Sequence, residues 1–256
     1  MGTTAAMEGF LQTFRWDFIT RQVKLSSVPG QIEVTEFDFR GENAVVYEES
    51  GVIVRSFPAI HSGDGSVSYA LEWNGLKLVF GGDTLPNKWF IDYAKDADLV
   101  IHECFHLPAQ MVENYNQAPA VALYVATQIH TSPQAFGKIM SEIKPRHAVA
   151  YHFFNEESTR YAIYEGVRET YDGPLSMATD MMVWNVTQDA ITERMAVSTD
   201  EAWSLAGDQP PPVGEPDQVP PQLSADIEAG AWDVSDAEGN MIREYMERFD
   251  LQPAQN

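Results

Sequence analysis

The chain has 256 residues, 44% of them hydrophobic, enough for one large domain or two small ones. Its formal net charge is -22 with only 16 Lys and Arg, which argues against a nucleic-acid partner, because phosphate binding needs cations. No stretch approaches the roughly 18 unbroken apolar residues of a membrane span, and no basic-then-apolar leader opens the chain. Cys104 is the single cysteine, so no internal disulfide can form and the compartment stays open.

In chain order, residues 8–24 place Phe10, Leu11, Phe14 and Phe18 on one helical face, with Trp16 off it. Ile32 to Phe39 alternates as a strand. Ala44 to Ala59 reads as a hairpin around Glu48-Glu49-Ser50-Gly51, and Val67 to Phe80 as another turned at Asn74-Gly75, a dipeptide that accepts positive φ. Residues 86–96 suit a short helix and Ala97 to Cys104 a buried strand, with Cys104 a small strand-end residue. Helices are expected near 108–126 and 132–143, the second capped by Thr131-Ser132-Pro133. A strand from His147 to Tyr151, a helix near 157–170 and a strand pair around 176–195 complete residues 1–195. Residues 196–226 then form a Pro-rich acidic linker, with six prolines between Gly207 and Asp226. Residues 227–256 end in a short helix with Trp232, Met241, Ile242, Tyr245, Met246 and Phe249 as its apolar side. From residue 196 on, 13 acidic side chains face only Arg243 and Arg248, which reads as a solubilising, self-repelling tail.

Chemistry gathers where apolar runs stop. Val52 to Ile60 leads into His61; Phe80-Gly81-Gly82 leads into Asp83-Thr84; Asp98-Leu99-Val100-Ile101 leads into His102-Glu103; Ala148-Val149-Ala150-Tyr151 leads into His152. Ile129-His130-Thr131-Ser132 opens a helix. Strand ends of this kind set imidazoles and carboxylates on a rigid edge, as a metal-dependent hydrolase requires. Each residue also has a plainer reading. Asp83 could cap the turn after it, but its company with His61 and His152 favours a ligand. His106 and His147 read as structural histidines, Asp180 as a turn residue, and His102 as a strand-end hydrogen bonder with support of a ligand as its lesser reading.

Taken in this order over residues 8–195, these elements resemble the C-terminal half of the metallo-β-lactamase superfamily, in particular its ribonuclease Z-like branch. The helix of residues 8–24 and the segment His152-Phe153-Phe154-Asn155-Glu156-Glu157 are most similar to the guanitoxin-biosynthesis type of metallohydrolase. The resemblance implies an α/β fold, the αββα sandwich. It implies that His61, Asp83 and His152 are metal ligands, with Asp83 bridging two ions. It further implies that His130 donates a proton to the leaving group and that Glu103 orients it. Zinc suits such a set, two ions in the family, with manganese and iron as alternatives.

One departure is decisive for what to expect. The family's His-x-His-x-Asp-His motif is not in the sequence, and no histidine precedes His61. The N-terminal strands of the sandwich are expected to be missing, and the chain reads as a partial form with little hydrolase activity alone, any leader lost with that segment. His61 and Asp83 are only 22 residues apart, too close for the tRNA-gripping arm of ribonuclease Z proteins. The expected substrate is therefore a small ester, phosphoester, sulfate ester or lactone, with a ribonuclease Z-like phosphodiesterase as the alternative. A different class of reading is a catalytically dead, self-associating module, because a sheet face that has lost its partner favours a homodimer. A third is a mononuclear metal-binding protein.

Overall fold

The computed structural model describes residues 2–15, 34–196 and 223–252. The chain divides into two units, Met1–Asp38 and Phe39–Asn256. The first contains helix α1 (Thr3–Thr13), on which the Phe10 and Phe14 rings lie 4.7 Å apart. Phe18 and Trp16 lie outside the described residues. Residues 34–38 are not a strand, which corrects the expectation for Ile32 to Phe39; alternation makes a strand only where a neighbour accepts its hydrogen bonds.

In the second unit both expected hairpins form. Strands β1 (Ala44–Glu49) and β2 (Val52–Pro58) turn at Ser50-Gly51, with φ of 53° and 80°. Strands β3 (Val67–Trp73) and β4 (Leu76–Phe80) turn at Asn74-Gly75, with φ of 51° and 75°. Two positive φ values are the geometry that matches the twist of paired strands. Helix α2 (Lys88–Tyr93) is capped by the Asn87 side chain, which accepts from the Phe90 N–H, and leads to β5 (Leu99–Glu103). The helix expected over 108–126 is two helices, α3 (Pro108–Tyr115) and α4 (Pro119–Gln128). Asn116 breaks it in the left-handed conformation, and Pro119 starts the second helix where its missing N–H costs nothing. Helix α5 (Pro133–Ile143), capped by Ser132, precedes β6 (His147–Tyr151), helix α6 (Glu157–Arg168) and β7 (Leu175–Met177). Strands β8 (Met182–Val186) and β9 (Ile191–Met195) form a separate pair.

The main sheet runs β1-β2-β3-β4-β5-β6-β7, antiparallel from β1 to β4 and parallel from β4 to β7. This unit is thus α/β, and helices α2, α5 and α6 pack on one sheet face. Phe57, Ala70, Val79, Val100, Ala148 and Ala150 point to that face and join Phe90 of α2, Phe136, Ile139 and Met140 of α5, and Ile163 of α6 in one core. Small residues on the central strands let the helices approach closely. Gly166 on α6 serves the same end, since a Cβ there would sit 2.8 Å from Pro133 Cβ.

The opposite face is also apolar. Tyr47, Val54, Leu71 and Leu78 line up across β1 to β4 by register, as do Tyr69, Phe80 and Ile101 across β3 to β5. Tyr47 is 49% exposed and Trp73, on the same face, 51%. Val54, Tyr69, Leu71, Leu78 and Ile101 are half-buried, so the exposed apolar surface of this face centres on Tyr47, Trp73 and Phe80.

Residues 223–252 are docked rather than a free acidic tail, while the Pro-rich linker expected over 196–226 lies almost wholly outside the described residues. Helix α7 (Ala225–Glu228) buries Ile227 in the main core, and the Lys88 N–H donates to the Gly230 carbonyl. Helix α8 (Ser235–Arg248) buries Tyr245 with Met111, Ala122 and Ala126, and the Tyr245 hydroxyl donates to the Pro119 carbonyl at 3.1 Å. Lys138 on α5 pairs with Asp236. Asp226, Glu228 and Asp236 stand in the first turns of α7 and α8, where negative charge is favourable, so acidity here does not mean a solvated coil.

Candidate metal centre

In this sheet β2, β4, β5, β6 and β7 point the same way, so their C-terminal ends share one edge. Open α/β sheets place ligands at that edge. His61 follows β2, Asp83 follows β4, Glu103 ends β5 and His152 follows β6. Helix α5 begins at the same edge, and His130 stands three residues before it.

The loops carrying these groups are tied to one another. Ile60 N–H donates to the Thr84 hydroxyl at 2.9 Å, Leu85 N–H to the Ile60 carbonyl at 2.7 Å, and the Thr131 hydroxyl to the Thr84 carbonyl at 2.5 Å. Gly81 lies against His102, and a Cβ there would sit 2.7 Å from its ring. Gly82 takes a φ of 68°, which turns the chain sharply into Asp83. His152 itself has a φ of 71°, uncommon for any residue but glycine and a form of strain that recurs at functional sites.

Asp83, His130 and His152 each bring one potential ligand atom to within 4.8 Å of the others, and His152 Nε2 lies 3.4 Å from Asp83 Oδ2. His61 adjoins them, its ring centroid 5.1 Å from that of His130, and its Nδ1 bonds to the Ile129 carbonyl at 3.2 Å. The structure thus gathers all four, but the three whose ligand atoms converge include His130 in place of His61. His130 Nδ1 and Glu103 Oε2 share a hydrogen bond at 2.8 Å. Glu103 is fully buried and also accepts from the Thr84 N–H. Burial pushes the Glu103 carboxyl well up, against the Thr84 and Thr131 main-chain donors that favour its ionised form. Burial holds the His130 imidazole below its ordinary range, with the Asp83 charge opposing. Burial does the same to His152; Asp83 opposes it, while His130 and His61 add to it. Both rings are therefore neutral at pH 7, as a metal ligand must be.

His102 lies apart from this group. Its ring packs edge-on against Phe90 at 4.6 Å, and its Nδ1 donates to the Glu103 carbonyl at 2.7 Å. Burial drives its pKa down to about 4. It is a core residue that hydrogen-bonds to main chain, and its Nε2 has no partner among the described residues. His147 bonds to the Ser176 hydroxyl at 2.6 Å, away from the centre. Phe105, not singled out from sequence, stacks on His130 at 4.2 Å with an 18° interplanar angle. The signal for it was its place two residues beyond the Glu103 strand end.

A scan against protein-family models finds no match, and a search of curated protein sequences finds none. Solved structures do show likeness. The metallo-beta-lactamase fold protein YhfI from Bacillus subtilis is similar with a TM-score of 0.41 and 14% identity, over 54% of this chain and 51% of that one. The short form of human tRNase Z gives 0.37 and 20%, over 54% and 44%. The zinc-bound PqqB from Methylobacterium extorquens gives 0.36 and 11%, over 52% and 51%. The chain spans about half the length of these structures. The centre is therefore read from this chain's own residues.

Proposed function

We propose that Asp83, His130 and His152, with His61 beside them, are the ligand cluster of a metal-dependent hydrolase centre of the metallo-β-lactamase type. The observation that supports this most is their convergence within 4.8 Å, with one imidazole anchored on a buried carboxylate. Two neutral imidazoles and a carboxylate match zinc, and three protein ligands with an open position is the pattern of catalytic zinc. The set fits one ion. A second would need donors of the His-x-His-x-Asp-His kind, and the sequence contains no such motif.

Bound zinc would supply Lewis acidity and a water acidified to near pH 7. The chain's own groups do the rest. If His130 Nδ1 holds the proton of its bond to Glu103, the neutral ring leaves Nε2 bare. That suits a ligand or a proton acceptor better than the proton donor implied by family resemblance. Glu103 fixes that tautomer and the ring's orientation. The expected substrates are small esters, phosphoesters, sulfate esters or lactones, and the acidic surface disfavours RNA. With one ion rather than two, turnover by this chain alone is expected to be slow.

Zinc titration by calorimetry on chelator-treated protein tests the reading. One equivalent should bind, and Asp83→Asn should weaken it at least 100-fold. Zinc binding untouched by Asp83→Asn would remove the basis for it.

A second reading, self-association through the open sheet face, is favoured by the exposure of Tyr47 and Trp73 on an apolar surface. The occupant would be a second copy of the chain, read out as a dimer mass by light scattering.

A further inference from the structure

Beside the metal centre lies an open cavity of about 420 Å³, walled by Phe105, His106, Met111, Tyr115, Phe153 and Phe154 together with Gln117 and His152. That volume lies within the range of small-molecule pockets, and the surface is almost wholly apolar. The aromatic walls are organised: the Tyr115 and Phe154 rings are 4.7 Å apart, and the His106 ring is 5.0 Å from both Phe105 and Phe154. Phe154 is 58% exposed at the mouth.

His106 gives the pocket a polar point. It is 1% exposed, and its Nε2 accepts the Phe154 main-chain N–H at 3.0 Å. A neutral ring that accepts at Nε2 carries its proton on Nδ1. That Nδ1 is buried and has no hydrogen-bond partner among the described residues. An unmet donor in an aromatic wall is costly unless something supplies an acceptor.

We propose that this cavity is the specificity pocket, and that it takes an aromatic ring bearing one carbonyl-type acceptor, which receives the His106 Nδ1–H. An occupant there lies against His152, which places the neighbouring bond of an aryl ester or aryl lactone at the metal centre. The catalytic meaning rests on the hydrolase reading; the binding does not.

The test therefore uses metal-free protein. Acetophenone and α-methylstyrene have the same shape, but only the first offers an acceptor. Ligand-observed NMR should give acetophenone about tenfold tighter binding than α-methylstyrene. Met111→Trp, which fills the cavity, should abolish both. His106→Phe should erase the difference while α-methylstyrene still binds. Should that buried substitution prevent folding, the His106 Nδ1–H resonance in the natural protein decides instead, moving with acetophenone and not with α-methylstyrene. No binding, equal binding of the two probes, or binding indifferent to Met111→Trp overturns the proposal. Asp83→Asn should leave these affinities within twofold. Loss of zinc binding would thus condemn the metal centre alone, and loss of probe binding the pocket alone.

Discussion

The docking of helix α8 should loosen as pH rises, and Glu238 is the cause. This residue lies on α8, is 6% exposed, and accepts a hydrogen bond from the Ser132 hydroxyl at 2.5 Å. Burial raises its pKa from 4.5 to about 7, against the opposing pull of the Ser132 hydroxyl and the Lys138 charge. Below pH 4.5 the carboxyl is neutral whether α8 is docked or not, and docking is at full strength. Between 4.5 and 7 the undocked carboxyl gives up a proton that the docked one keeps, so docking weakens by about 1.4 kcal/mol per pH unit. Above 7 both forms are ionised and the loss is complete. From pH 5 to pH 8 the change amounts to about 2.5 kcal/mol, roughly seventyfold in the opening constant. Amide hydrogen exchange over Ser235–Arg248, corrected for intrinsic rates, reads that constant directly. Glu238→Gln keeps an acceptor for Ser132 and removes the ionisation, so its protection should be nearly flat with pH. Equal protection of natural α8 at the two pH values, or the same fall in the Gln variant, would refute the reasoning.

Other outcomes follow from the same geometry. Glu103→Gln should cost about 10- to 100-fold in zinc affinity by calorimetry, because the His130 ring loses the carboxyl that orients it. Zinc affinity should fall as pH drops below the depressed range of His130 and His152, since protons then compete for the same lone pairs; a calorimetric pH series checks it. Gly166→Val should lower stability to urea by about 1–3 kcal/mol, because its Cβ would strike Pro133. Trp73→Arg should abolish any dimer seen by light scattering while leaving zinc affinity unchanged, since Trp73 is on the open face and not at the ligand edge.

Much of the framework was legible because it is written locally. Asn74-Gly75 and Ser50-Gly51 name their turns, Ser132-Pro133 names a helix start, and the runs into Asp83, Glu103 and His152 name strand ends. What escaped depends on distance or company. Pro119 marked the break between α3 and α4, yet the apolar pattern runs across it and suggested one helix. Ser132 and Glu238 meet although 106 residues separate them, and no periodicity links such a pair. His106 looks like any core histidine until Phe153 and Phe154 are folded around it. The convergence of His130 with Asp83 and His152 is likewise a matter of a few ångströms, which residue type and order do not encode.

The layout of the ligand edge also governs when the centre can exist. Asp83, His130 and His152 come from the ends of parallel strands and the start of α5, elements brought together only by crossover connections. Such long-range pairings close late and slowly, since loop entropy is lost before contacts form. A half-folded chain therefore lacks the proposed centre, and an ion bound there would act on the native state alone. By mass action, a hundredfold excess over the dissociation constant would add about 2.7 kcal/mol of stability. The ion's arrival would thus be a late check that β4, β5, β6 and α5 have all found their places.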